Sequence, residues 1–222
     1  MFVGDAKIKK AFLGTELVYE VAKPSRLPEG YTELEYIQSG NGQAINTGVL
    51  CSYIYRIEMD VEPIGSHSDQ RALFGASYYS GKYYEFSCQK VWYASLSLHA
   101  GMNAAGYSAS ISGDFSNIRL NIVFDRNSKT FSVNGQTATY TNYSNVPYNC
   151  CLLTGYKGTN GASFNPISAK LYSCKIYGTG SALVRDYVPC KNPSGAVGLY
   201  DIIENKFYTN AGSGVFAPGP DV

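Results

Sequence analysis

Histidine and tryptophan are almost missing from this chain: 222 residues hold two of the first and one of the second. His67 and His99 stand far apart, with no cysteine or carboxylate at ligand spacing, so neither a zinc site nor any other metal or cofactor is expected. Net charge is lacking too. A formal +1 at neutral pH gives no long-range field to gather nucleic acid or an anionic membrane. No apolar run approaches the length of a membrane span, which argues against insertion. The opening MFVGDAKIKKAFLG lacks the apolar run of roughly 7–15 residues that a secretory signal needs. A chain made and folded in a reducing cytosol is therefore expected.

Six cysteines are present, but not at the spacing of a disulfide scaffold. Cys150 and Cys151 are neighbours and unsuited to pair with each other. Cys174 and Cys190 invite pairing. If Gly178 to Ser181 form a hairpin loop, Tyr177 faces Ala182 and Cys174 faces Arg185. Cys190 then lies about five residues further along, roughly 16 Å away at strand rise, beyond the reach of a bridge. Buried free thiols acting as small apolar residues are expected.

What the chain has in excess is tyrosine, twenty residues of it, on a background that is 45% hydrophobic. That share can bury a sizeable core without metals or staples. Tyrosine suits half-buried strand positions, and also exposed platforms where a ring face and a hydroxyl serve one ligand. Periodicity points the same way. Tyr55, Ile57, Met59 and Val61 alternate with Arg56, Glu58, Asp60 and Glu62, which predicts a half-buried strand. Ile118, Leu120, Ile122 and Phe124 repeat the pattern. A polar turn at Asp125 to Lys129 leads to a strand from Thr130 to Val133. Asn134-Gly135 then predicts a type I′ hairpin turn, whose central residues both need positive φ, and Gln136 to Tyr140 returns. No amphipathic helix of about ten residues or more is evident. An all-β chain folded as an antiparallel β-sandwich or jelly roll is the expectation.

Three parts are predicted. Residues 1–22 read as a small hairpin, with Lys7 to Phe12 and Glu16 to Tyr19 flanking a turn at Gly14-Thr15. Two strands alone are marginal in water, so an attachment or oligomerisation role stands beside an ordinary first hairpin. Residues 23–30, with two prolines and a glycine, read as a linker. The sandwich domain occupies 31–222, its start falling near Leu27 or Tyr31.

Several segments carry a family resemblance. YTELEYIQSGNGQAINTG, the meander NIVFDRNSKTFSVNGQ, and a closing run through Leu183-Val184-Arg185-Asp186, Val188-Pro189-Cys190 and Gly198-Leu199-Tyr200-Asp201 resemble concanavalin A-like (laminin G-like) lectin domains of bacteriophage tail and receptor-binding proteins. Phe207-Tyr208 and Gly212-Ser213-Gly214 extend the likeness, which covers about residues 27–218. The family's usual wording has a tyrosine and an aspartate where Ala44 and Asn46 stand. VGDAKIKKAFLGTELVYE is similar to a segment that opens many phage tail proteins. The resemblance implies a concanavalin A-like jelly roll and a virion location. It implies binding to host-surface carbohydrate, contact with other virion proteins through residues 1–22, and a homo-oligomer such as a trimer.

Candidate ligand-binding residues follow from the tyrosine-rich SYYSGKYY and the rim HAGMNAAGYSAS: Tyr78, Tyr79, Tyr83, Tyr84, Trp92, Tyr93 and Asn103. Ring faces stack on sugars, and neighbouring hydroxyls and amides fix orientation. One motif points to chemistry instead. Glu58-x-Asp60-x-Glu62 fits the Glu-x-Asp-x-Glu pattern of laminarinase-type glycoside hydrolases, with all three carboxylates on one strand face. Glu58 would then be the nucleophile, Glu62 the general acid and Asp60 the residue that tunes them. Its early position, the following Pro63 and the lack of a tryptophan-rich cleft favour a wet outer-face strand. Asp125, Asn127 and Ser128 read as a plain turn, since the twelve-residue calcium pattern is absent. Arg185 and Asp186 point to opposite faces and read as separate hydrogen-bonding anchors. A non-enzymatic glycan-binding virion protein ranks first, ahead of a ligand-free decoration protein and of a hydrolase.

Overall fold

A computed structural model describes the chain except for residues 1–9, 14–15, 21–25, 41, 66–68, 80–82, 92–94, 103–108, 142–145 and 158–161. Only the backbone is described at 10–13, 16–20, 78–79, 83–85, 90–91, 99–102, 156–157 and 162–164. The strands are β1 (Lys10–Leu13), β2 (Glu16–Glu20), β3 (Thr32–Glu33), β4 (Ile37–Gly40), β5 (Ile45–Leu50) and β6 (Arg56–Pro63). Next come β7 (Arg71–Tyr79), β8 (Tyr83–Val91), β9 (Ser95–Met102) and β10 (Ala109–Ser112). A meander of β11 (Leu120–Asp125), β12 (Thr130–Val133) and β13 (Gln136–Thr139) precedes β14 (Asn149–Leu152), β15 (Gly155–Lys157) and β16 (Ala162–Phe164). The chain closes with β17 (Ser168–Tyr177), β18 (Leu183–Lys191), β19 (Val197–Asp201), β20 (Lys206–Tyr208) and β21 (Ala217–Pro218).

The result is an all-β sandwich of two large, mainly antiparallel sheets. The first runs β13-β12-β11-β6-β17-β18-β19-β20, with β3, β4 and β21 attached. The second runs β10-β9-β8-β7-β14-β5, with β15 pairing parallel to β7 and antiparallel to β16. Among the described residues, β1 and β2 pair only with each other. Their described residues begin at Lys10 and Glu16; residues 1–9 and the turn at 14–15 lie outside the described residues.

Alternation builds the first sheet. On β6 the inward Ile57, Met59 and Val61 are buried while Arg56, Glu58, Asp60 and Glu62 face outward. Each inward residue meets buried partners on both sides: Ile57 lies between Phe124 and Ile176, Met59 between Ile122 and Cys174, and Val61 between Leu120 and Leu171. Phe124 reaches across the sandwich to Phe86 of β8, ring centroids 5.1 Å apart and edge-on. Its full burial contributes about 2–3 kcal/mol. Ile118, expected in the same pattern, is exposed and precedes the strand. Asn134 and Gly135 adopt φ of 48° and 84°, and Val133 pairs directly with Gln136, as the turn chemistry predicts. Leu27, near the expected boundary, packs against Val188, Cys190 and Tyr200, so the packed domain begins there.

The β17–β18 hairpin corrects one expected register. Tyr177 pairs with Leu183 and Cys174 with Tyr187, because a bulge lies between Ile176 and Tyr177. A one-turn 3-10 segment at Thr179–Ser181 fills the loop. All six cysteines are free and buried, and burial pushes the thiols of Cys88, Cys151 and Cys190 upward.

Two tests follow. A thiol reagent should find six reactive groups in denaturant and almost none in the native protein; rapid native labelling would contradict this packing. Gly75 has φ of 143°, and a Cβ there would lie 2.2 Å from the carbonyl oxygen of Phe86. Gly75→Ala should therefore cost about 3 kcal/mol or more in chemical denaturation.

Candidate functional site

Glu58, Asp60 and Glu62 do share one face of β6, and it is the outer face of the sandwich. Each is held by a cation. Arg56 donates from Nε to Glu58 at 2.8 Å, and Tyr177 donates its hydroxyl to the same carboxylate at 3.2 Å. Arg119 grips Asp60 with two nitrogens, both at 2.8 Å. Lys170 donates to Glu62 at 2.9 Å and the Tyr172 hydroxyl at 3.0 Å. The hydrogen bond from Lys170 draws the Glu62 carboxyl below its ordinary value, against a smaller opposing effect of burial. A general acid of a glycosidase needs the opposite displacement.

Nor does this face offer bare rings. The Arg119 guanidinium sits 3.7 Å from the Tyr172 ring centroid, Lys170 lies 5.2 Å from that of Tyr36, and Tyr36 meets Tyr172 edge-on. Arg56 stands 5.8 Å from Tyr177. Rings covered in this way cannot take a sugar on the same side.

The other residues named from sequence lie mostly outside what is described. Tyr78 pairs with Tyr84 and Tyr79 with Tyr83 across the β7–β8 hairpin, but their side chains lie outside the described residues. Trp92, Tyr93, Asn103 and His67 also lie outside them; His99 is placed by backbone alone, opposite Ser87. Asp125 spends Oδ1 on the amides of Asn127 and Ser128, at 2.8 and 3.2 Å, and Oδ2 on Arg56. That is turn chemistry. Among the described residues no three His, Cys, Asp or Glu side chains gather as a metal site.

A feature the sequence did not announce lies at one end of the sandwich. Tyr53, in the 3-10 turn Cys51–Tyr53, is 59% exposed. Two shallow clefts flank it. One, of about 370 Å³, is bordered by Val49, Leu50, Gly178 and Val184. The other, of about 470 Å³, is bordered by Ser52, Tyr55, Arg126 and Pro147. Tyr53 and Thr179 border both. Three loops are tied together here: Arg126 donates its amide to the Tyr55 carbonyl, Tyr55 to that of Tyr177, and Asn127 reaches the Ser181 hydroxyl. The Arg126 guanidinium lies 4.7 Å from the Tyr55 ring centroid and donates to the Ser52 carbonyl at 3.2 Å. Among the described residues, no ring or cation stacks on Tyr53.

Beneath this end runs a buried ionic knot. Arg185 donates to the Thr47 carbonyl at 3.1 Å and to that of Val184 at 2.7 Å, and it approaches Asp201 at 3.5 Å and Glu204 at 2.7 Å. Asp201 accepts the amides of Asp186 and Ile203. Burial pushes its carboxyl upward despite these donors. Tyr208 donates to Glu204. Asp186 points outward, near Lys175, so the two adjoining residues are separate anchors as the alternation predicts.

No family model matches the chain, and neither the curated proteins nor the solved structures searched contain a match.

Because Glu62 titrates below its ordinary 4.5, its pairing stabilises the fold above the unfolded-state pKa. That contribution is lost as pH falls through the lower, folded-state value. Lys170→Met should move the Glu62 midpoint back up, toward 4.5, in a carboxyl-carbon NMR titration. It should cost only about 0.5–1 kcal/mol, because the pair is near the surface. An unmoved midpoint would contradict the assignment.

Proposed function

We propose that this chain is a non-enzymatic structural protein of a bacteriophage virion whose β-sandwich binds host-surface carbohydrate. The segments that resemble phage lectin-like domains support that reading, and so does the all-β sandwich. The observation that carries the non-enzymatic part is the commitment of Glu58, Asp60 and Glu62 to Arg56, Arg119 and Lys170. A retaining hydrolase needs one carboxyl held protonated and another free to attack. Here donors occupy the oxygens of all three, and the hydrogen bond from Lys170 favours the charged form of Glu62. Binding needs only a shaped surface with a ring and polar groups, and the loop end around Tyr53 offers one. Residues 1–22 would serve attachment, since among the described residues the β1–β2 pair has no further strand beside it and two strands are marginal alone. A homo-oligomer, three-fold by resemblance, would multiply weak sites into useful avidity.

Purified protein and Glu58→Gln should bind the same members of a bacterial polysaccharide array with equal strength, and neither should release reducing ends. Release of reducing ends that Glu58→Gln abolishes would identify a hydrolase. Absence of binding to the array and to host cells would instead leave a decoration protein.

A further inference from the structure

We infer that the outer face of the second sheet carries a sugar subsite, floored by Ser77, Ser87, Gln89 and Ser97, that reads the hydroxyls of a polysaccharide. This rests on the glycan-binding reading above and adds to it a location apart from the loop end and a mode of recognition. Alternation builds the face. Phe74 and Ala76 of β7, Phe86 and Cys88 of β8, and Leu96 and Leu98 of β9 belong to the core. Ser77, Ser87, Gln89 and Ser97 therefore point the other way. The ladder sets them side by side: Ser87 pairs with Gly75, Gln89 with Ser97, and Ser97 with Ser110.

Outward side chains of an antiparallel sheet commonly meet water, as Arg56, Glu58, Asp60 and Glu62 do in part on the first sheet. Here Ser77 and Ser87 are 0% exposed, Gln89 1% and Ser97 2%. The strip is thus sunk below the surface, and it is polar. Gln89 donates from Nε2 to the Ser87 hydroxyl at 2.8 Å, and Ser97 donates its hydroxyl to that of Ser110 at 3.2 Å. Ser110 is exposed, so the strip opens to solvent along β10. The buried Ser77 hydroxyl differs: among the described residues it has no hydrogen-bond partner. Such a group costs stability that an alanine would not, and a partner from outside the chain removes that cost. A sugar hydroxyl donates and accepts, as a serine hydroxyl does, so the two can pair in either sense. These serines and Gln89 are uncharged, and they suit alcohols better than a phosphate or carboxylate, whose strong partners are cations.

The test is an array of bacterial polysaccharides, then calorimetry with oligosaccharide fragments of the tightest binder and with forms of them lacking one hydroxyl at a time. Ser77→Ala should weaken binding roughly fivefold to tenfold. Its unfolding midpoint should stay the same or rise, because the change removes an unpaired group. One monodeoxy fragment should bind the unmodified protein roughly tenfold more weakly, yet bind Ser77→Ala no worse than the parent fragment does. That coupling marks the hydroxyl that Ser77 meets. Full affinity in Ser77→Ala, or losses that multiply independently for every monodeoxy fragment, would overturn the location. A clearly lowered unfolding midpoint would show that the hydroxyl has a structural partner, and would overturn it too. Binding lost in Tyr53→Ala and kept in Ser77→Ala would move the site to the loop end and leave glycan binding standing. Binding to no polysaccharide at all would remove the underlying reading together with this one.

Discussion

Ile57, Met59 and Val61 each meet a buried side chain on both neighbouring strands, and this double constraint leaves β6 no freedom to slide. A slip of one residue would turn three apolar side chains to water and four charged ones into the core. The cost of burying unpaired charge far exceeds anything the outer face could recover. The core therefore fixes the register, and the register brings Arg119 to Asp60 and Lys170 to Glu62, while Glu58 meets Arg56 of its own strand. Lys175 stands beside Glu58 and Lys170 beside Glu62 as rungs of the same ladder. The outer charge pattern is a consequence of the inner apolar one. It supplies solubility and modest stability at the surface.

The same register assembles the loop end. Arg56 opens β6, Asp125 closes β11 and Tyr177 closes β17, and these three share the last rung of the ladder. Chain segments leaving a shared rung must emerge side by side. Hence the 3-10 turn before β6, the turn after β11 and the loop after β17 converge, and the amide-to-carbonyl bonds through Tyr55 stitch them. Tyr53, Arg126 and Thr179 come together from three distant stretches because Ile57 pairs with Phe124 and Ile176.

That dependence explains what could be read from the sequence. β6, the β11–β13 meander and the Asn134-Gly135 turn are local patterns, legible because one face is buried and one turn type demands positive φ. Tyr172 was not legible. It sits at a bulge between Leu171 and Ser173, where two successive residues face outward and the alternation then resumes with Cys174 inside. A strict period of two would have turned either Leu171 or Cys174 the wrong way. The β17–β18 register failed for the same reason, an extra residue beside Tyr177. Tyr53 was lost among twenty tyrosines, since its exposure is decided by partners more than seventy positions away in Arg126 and farther still in Thr179. The carboxylate motif had the opposite fault: it was conspicuous in the sequence, and its meaning depended on Arg119 and Lys170, brought to it from distant parts of the chain.

An early and a late segment of the chain meet in space, and their meeting places them under the clefts. Thr47 and Gly48 belong to the opening segment, Val184 and Arg185 to the closing one. Arg185 donates to the carbonyls of both Thr47 and Val184, so one guanidinium ties β5 of the second sheet to β18 of the first. Gly48 has φ of 70° and lies against this guanidinium; Gly48 and Val184 then border the apolar cleft directly. A buried ion pair is a weak source of net stability, because desolvation offsets much of the attraction, and the upward push on Asp201 records that opposition. Its value lies in direction. The guanidinium's donors are held in a fixed planar geometry, with Asp201 and Glu204 on one side and the Thr47 carbonyl of the other sheet beside them. Thr47, Gly48, Val184 and Arg185 thus underlie or border the clefts, and Tyr53 and Arg126 line them.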